Sequence, residues 1–185
     1  METSRVLDGA KLRGRTQERA ETRPRDLAEV YDTYSSALYR YLVAMLRVKH
    51  DAEDAMQELF CSLARVDLRR VADLRAYLFQ AARRQALTML RARRRHDREA
   101  AAAQVSWVDP DACRPDDRAL ALDIDRALRS LPNEQREVIA MHLCEGFTFR
   151  EIAQLCGIPL NTAASRYRLA LSRLRELLKG GDSGD

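Results

Sequence analysis

Apolar residues spaced three and four apart, with no stretch of strict alternation, run through most of this chain, and that period restricts it to packed α-helices. Leu27, Val30, Tyr31, Tyr34, Leu38, Tyr41, Leu42, Met45 and Leu46 form the first stripe, after Pro24 and Asp26 mark its start. His50-Asp51 interrupts it, and Asp51 can cap a second helix carrying Ala52, Ala55, Met56, Leu59, Phe60 and Leu63. A third helix, with Asp73 as its expected N-cap, runs through Leu74, Tyr77, Leu78, Ala81, Ala82, Leu87 and Leu90 into a cluster of arginines. No segment reads as a strand, so the expected fold is all-α.

The period fails in two places. Residues 1–25 mix charges with few apolar side chains and are expected to be a disordered tail. Residues 97–117 carry Pro110 and Pro115 and hold no stripe, which predicts a flexible linker between a helical module over 26–96 and another over 118–179. Trp107 lies in that linker and is expected to tuck against a neighbouring domain. The second module opens with a short helix through Leu120, Leu122, Ile124, Ala127, Leu128 and Leu131, and Pro132 ends it because the residue before proline is pushed out of the helical region. Pro132 suits the first turn of a helix NEQREVIAMHLCEG, with Gly146 at its end.

Composition narrows the function. Among 185 residues, 32 Lys+Arg face 28 Asp+Glu, a net charge of +4, too small by itself to argue for a nucleic-acid partner. The distribution is more telling: lysine occurs only at 11, 49 and 179, so the basic side chains are arginines, the better bidentate donors to phosphate and guanine. Cys61, Cys113, Cys144 and Cys156 show no CxxC pair and read as reduced thiols of a cytoplasmic protein. His50, His96 and His142 are far apart and lack a nucleophile or ligand pattern, so no metal, cofactor or catalytic centre is expected. There is no apolar run of the roughly 18 residues that a membrane span needs.

Three motifs carry the functional reading. Residues 148–178 have the layout of a helix-turn-helix: a capping box from Thr148 to Glu151, a short helix REIAQLC, a turn around Gly157 and Pro159, and a longer helix opened by Asn161 or Thr162. On that longer helix Ala163, Tyr167, Ala170, Leu174 and Leu177 fall on one stripe, while Asn161, Ser165, Arg168 and Ser172 lie opposite. The cluster Arg83, Arg84, Arg91, Arg93, Arg94, Arg95 and Arg98, with no acidic partner in sequence before Asp97, points to phosphate contacts. One helix upstream, Asp51, Glu53, Asp54 and Glu58 with Gln57 form an acidic patch whose sign excludes DNA and suits a basic protein surface.

In this order the motifs resemble a family. DAEDAMQELFCSLAR is similar to the polymerase-binding segment of the extracytoplasmic-function (ECF) sigma factors of the sigma-70 family, ADLRAYLFQAARRQALTMLRARRR to their promoter-melting and minus-10-reading segment, and LRSLPNEQREVIAMHLCEGFTFREIAQLCGIPLNTAASRYRLALSRLRELL to the region that reads the minus-35 element. The resemblance covers about residues 27–178 and implies two helical domains without catalysis, core RNA polymerase and promoter DNA as partners, and usually an anti-sigma factor. Tyr77 stands where a Trp is usual, Arg84 where Asn is frequent and Ala64 where Trp is common; Ala163, Ala164 and Leu169 replace a Val and two often basic residues of the recognition helix.

The resemblance implies that Asp54, Gln57 and Glu58 dock polymerase. Arg69, Arg70 and Asp73, with Tyr77, Arg84, Thr88 and Arg91, are expected to hold the melted non-template strand, Tyr77 and Phe79 being the rings available for stacking. Asn161, Thr162, Ser165, Arg166, Arg168 and Arg173 are expected at the minus-35 element, with Arg168 toward bases and Arg166 toward phosphate. Two other readings stay open on the residues alone, a helix-turn-helix regulator acting by itself and a purely protein-binding helical module; the first leaves the acidic patch unexplained.

Overall fold

The computed structural model describes residues 26–96 and 118–180, and every element in them is helical apart from turns. The expected tail and linker, with Trp107 and Cys113, lie outside the described residues, as do the side chains of Arg94, Arg95 and Arg98. The first module comprises α1 (Leu27–Leu46), α2 (Lys49–Leu63), a 3-10 turn (Leu68–Arg70) and α3 (Leu74–His96). The second comprises α4 (Arg118–Ser130), α5 (Asn133–Ile139) running into a π-helical turn (Ala140–Cys144), α6 (Phe149–Cys156) and α7 (Leu160–Gly180).

Local chemistry sets most of the ends. Asp26 caps α1 by accepting from the Glu29 amide at 2.9 Å, and Asp73 caps α3 by accepting from Ala76 at 2.9 Å. The α1–α2 break is different from the expectation. Arg47 adopts φ 65° and donates its amide to Val43 O, after which α2 starts at Lys49 behind Val48, so Asp51 is inside the helix and not its cap. A left-handed arginine is uncommon, and no glycine in the sequence advertises the turn.

The α4–α5 elbow is held from inside. Arg136 is 2% exposed and donates to the carbonyls of Leu131 at 3.0 Å and Arg129 at 3.5 Å, and to Asn133 Oδ1. Burial pulls its guanidinium down to about 10, and nearby Arg47 adds to the effect. The orphan carbonyls at the end of α4 thereby find a donor. The expected continuous helix from Asn133 loosens into the π turn, where Glu145 N donates to Ala140 O at 3.2 Å and Phe147 N to Met141 O at 2.9 Å.

The modules do not stand apart. One apolar core runs from Val30, Leu38 and Leu42 of α1 through Leu78 and Phe79 of α3 into Val138, Met141, Phe147, Ile152 and Ala163 of the second module. Tyr41, Phe79 and Phe147 form an edge-to-face ladder across the seam, with centroids 5.5 and 4.9 Å apart, a geometry that adds to the burial of three large rings. Arg75 lies over the Phe147 ring at 3.7 Å. Phe79, expected among the rings free for a DNA base, is 1% exposed and belongs to this ladder.

Candidate nucleic-acid and protein interfaces

The helix-turn-helix is assembled from α6 and α7 as its sequence requires. Thr148 and Glu151 form the complete capping box: Thr148 N donates to Glu151 Oε2 at 2.7 Å and Glu151 N donates to Thr148 Oγ1 at 3.3 Å. Gly157 closes α6 with φ 66°, in the left-handed region where a side chain would be strained. Ala163 and Ala170 of α7 are fully buried, Tyr167 is half-buried against the rings of Phe149 and His142, and Leu174 packs beside Leu128, Leu131 and Ile139. Leu177, expected at the end of this stripe, is 47% exposed.

Opposite that stripe α7 is open. Asn161, Arg168, Ser172 and Arg173 are exposed, and the Arg168 guanidinium has no partner among the described residues. Thr162, Ser165 and Arg166 are half-buried; the Ser165 hydroxyl turns back to donate to Thr162 O at 3.0 Å. Arg173 reaches Gln135 Oε1 of α5 at 3.4 Å. The face thus combines one free guanidinium, an amide and hydroxyls over about three turns, dimensions that suit a major groove.

On the first module Arg84, Thr88 and Arg91 are exposed along one side of α3, with Tyr77 half-buried at its N-terminal end. Spacings of seven, four and three keep all four on one side. Arg84 and Arg91 have no side-chain partner among the described residues, while Thr88 donates to Arg84 O at 2.9 Å. Arg69 and Arg70 are exposed on the 3-10 turn, where Arg70 pairs with Asp67 at 3.0 Å, and the Asp73 carboxylate is engaged as the cap. Two members of the arginine cluster have acidic partners after all, which sequence distance concealed: Arg83 pairs with Glu137 at 2.8 Å and Arg93 with Asp51 at 3.6 Å.

Asp54, Gln57 and Glu58 are all exposed on α2, Asp54 lying 3.5 Å from His50 Nδ1. Alongside, between α1 and α2, runs an apolar groove of about 760 Å³ whose walls include Tyr31, Tyr39, Met56 and Phe60, with Glu53 and Gln57 on its rim. Tyr31, expected in the core, is 53% exposed and meets Phe60 edge-on at 5.0 Å. Sequence reasoning missed this groove because Tyr31 and Phe60 share the α1 and α2 stripes with residues that are buried.

Among the described residues no group of three His, Cys, Asp or Glu side chains is placed to hold a metal, and no helix is long and apolar enough to cross a membrane. A two-module helical protein with a helix-turn-helix and a basic helix has the layout of DNA-binding transcription proteins. The family comparisons make this specific: residues 30–96 match Sigma-70 region 2 and residues 121–174 match Sigma-70 region 4. The chain belongs to the sigma-70 family, in its extracytoplasmic-function group, and is a sigma factor of transcription initiation, not an enzyme.

Relatives agree. The chain is 29% identical over 155 residues to the ECF RNA polymerase sigma factor SigE of Mycolicibacterium smegmatis, covering 81% of this chain and 60% of that one. It is 24% identical over 167 residues to SigW of Bacillus subtilis, covering 82% and 88%, and 29% identical over 158 residues to RpoE of Cereibacter sphaeroides, covering 80% and 84%. Among solved structures it is similar to the sigma factor RpoE in complex with the anti-sigma factor NepR from Bartonella quintana, with a TM-score of 0.69, 25% identity, and coverage of 84% of this chain and 98% of that one. CnrH in complex with the cytosolic domain of CnrY shares the fold, at a TM-score of 0.58 and 19% identity over 83% of this chain and 88% of that one.

Proposed function

We propose that this sigma factor binds core RNA polymerase through Asp54, Gln57 and Glu58 of α2, holds the melted non-template strand along α3, and reads the minus-35 duplex with α7. The observation that carries the reading is the pair of outward stripes, Arg84, Thr88 and Arg91 on α3 and Asn161, Arg168 and Ser172 on α7, each free of the core that holds its helix. Arg69, Arg70 and Tyr77 extend the strand-holding face, Tyr77 being the half-buried ring left for stacking now that Phe79 is internal. Arg166 and Arg173 flank the duplex-reading stripe toward phosphate.

Residues 97–117 serve in this reading as the tether that lets the two modules reach separate promoter elements. The protein works in the cytoplasm, in a stress or signal response, under an anti-sigma factor, as RpoE of Bartonella quintana is held by NepR. Run-off transcription with core polymerase across a genomic library tests the whole: promoter-dependent initiation is expected, and initiation no better than core alone would refute it. Reversing charge at Asp54 and Glu58 together is expected to abolish co-purification with core enzyme while helicity stays intact; unchanged retention of the double variant would remove the acidic face from the docking surface.

A further inference from the structure

The seam between the modules is charged as well as aromatic. Glu137 of α5, its side chain 4% exposed, accepts two hydrogen bonds on Oε1 from the first module, from the Tyr41 hydroxyl at 2.9 Å and Arg83 Nε at 2.8 Å. Eight residues on, Glu145 is 6% exposed on its side chain and accepts from Arg40 Nε at 3.3 Å and Nη2 at 3.1 Å, while Arg75 donates to its backbone carbonyl. Around these two glutamates the first module offers three guanidiniums, Arg40, Arg75 and Arg83, and the second answers with oxygens.

Desolvating such pairs offsets much of their attraction, so permanent contacts are served as well by apolar packing. Carboxylates presented at intervals to a row of arginines match instead what a nucleic-acid backbone presents. Arg75 and Arg83 stand eight residues apart on α3, about 12 Å along its axis, or roughly three to four nucleotides of a B-form strand. The row continues into Arg84 and Arg91. There, Gln80, Arg83, Arg84, Leu87 and Arg91 line a cavity of about 340 Å³ whose far wall is Leu155 of α6.

We propose that Glu137 and Glu145 are stand-ins for DNA phosphates: Arg40, Arg75 and Arg83 bind the backbone of the melted strand once the second module leaves, so that strand and module compete for one surface. This rests on the reading that α3 holds the melted strand, and extends it to three residues facing the seam. Competition keeps the free protein off single-stranded DNA until the modules are drawn apart.

The test measures binding of the full chain to a labelled oligothymidylate, a probe with phosphates and no promoter sequence, across a salt series. Glu137→Gln/Glu145→Gln is expected to bind about tenfold more tightly, with a salt slope steeper by about 0.7 for each of two released arginines. Glu134→Gln, which removes a charge from an exposed position of the same helix, is expected to change little. Arg83→Ala in the double-variant background should take back much of the gain. Phe147→Ala, which opens the ring ladder and frees Arg75 from the ring beneath it without removing a charged side chain, should act in the same direction as the double variant if the latter proves poorly folded.

Cys156 supplies a readout independent of DNA. It packs beside the Arg83–Glu137 pair, and burial first, then Glu137, push its thiol up to about 12; its alkylation should speed up when the seam opens. Faster alkylation with unchanged oligothymidylate affinity, or a gain that survives Arg83→Ala, overturns the proposal. If instead the gain depends on Arg83 but ignores Arg84→Ala/Arg91→Ala, the seam row binds the backbone and the strand-holding assignment of the outer face is what fails.

Discussion

The two helices proposed to face DNA, α3 and α7, are presented differently. Helix α7 buries Ala163 and Ala170 within its own module and leaves Asn161, Arg168 and Ser172 open to solvent. Helix α3 buries Leu78, Ala82 and Ala86 in its module, but Phe79 and Arg83 are claimed by the other module, and Leu155 walls the recess beside Arg84 and Arg91. An arginine on α7 is ready for a groove as it stands. On α3 the residue type does not decide the role, because Arg83 and Arg84 are adjacent in sequence and only one has a carboxylate 54 residues away to bind it.

The largest effect that sharpens this comparison lies between two neighbouring rings of α3. Phe79→Ala removes the centre of the Tyr41–Phe147 ladder and is expected to lower stability by about 3–5 kcal/mol, measured by urea unfolding. Tyr77→Ala, half-buried at the edge, should lower stability by far less and instead weaken single-strand binding by about 1–3 kcal/mol, the worth of one base stack. Equal stability losses would mean that Tyr77 is as much a core residue as Phe79 and is unavailable to DNA.

What the sequence made legible follows the same division between local and distant causes. The capping box at Thr148 and Glu151, the left-handed Gly157 and the caps at Asp26 and Asp73 depend on residues within three or four positions, and each formed as the spacing predicts. The free face of α7 was readable because Ala163 and Ala170 fix the phase of a single amphipathic helix. By contrast, the Tyr41–Glu137 bond joins residues 96 apart, and no periodicity distinguishes a tyrosine that packs inside its own module from one that reaches across a seam. Arg136 did leave a signal: a charged residue three positions before Ile139, on the buried stripe of α5, is worth reading as a donor to a nearby helix end.

Within α7 the comparison narrows to two arginines. Arg168 is exposed and unpaired among the described residues, whereas Arg166 is half-buried at the flank. Arg168→Ala should lose about 1–3 kcal/mol on the preferred minus-35 site and relax preference at one base position, as expected for a bidentate contact to guanine. Arg166→Ala should weaken all sequences alike and lower the salt slope by about one. Binding to a panel of single-base minus-35 variants at two salt concentrations checks both, and a uniform loss for Arg168→Ala would shift the reading face by about one residue.

The smallest expected effect probes α6, the element that packs on both α3 and α7. Its capping box fixes where α6 starts, its last turn places Leu155 against the α3 arginines, and Gly157 then aims α7. Thr148→Ala removes one side of the box and should lower stability by about 1 kcal/mol. Glu151→Gln should cost less, since glutamine can still accept from the Thr148 amide. Loss of the cap loosens the first turn of α6 but leaves Ile152, Ala153 and Leu155 buried, so α7 should keep its sequence preference with only a modest drop in duplex affinity. Single-strand binding by α3 should barely move, because the Glu137 and Glu145 contacts lie outside α6. If Thr148→Ala instead raises oligothymidylate binding as much as Glu137→Gln does, α6 and not the carboxylates is what covers α3, and the contrast between the two helices is steric rather than electrostatic.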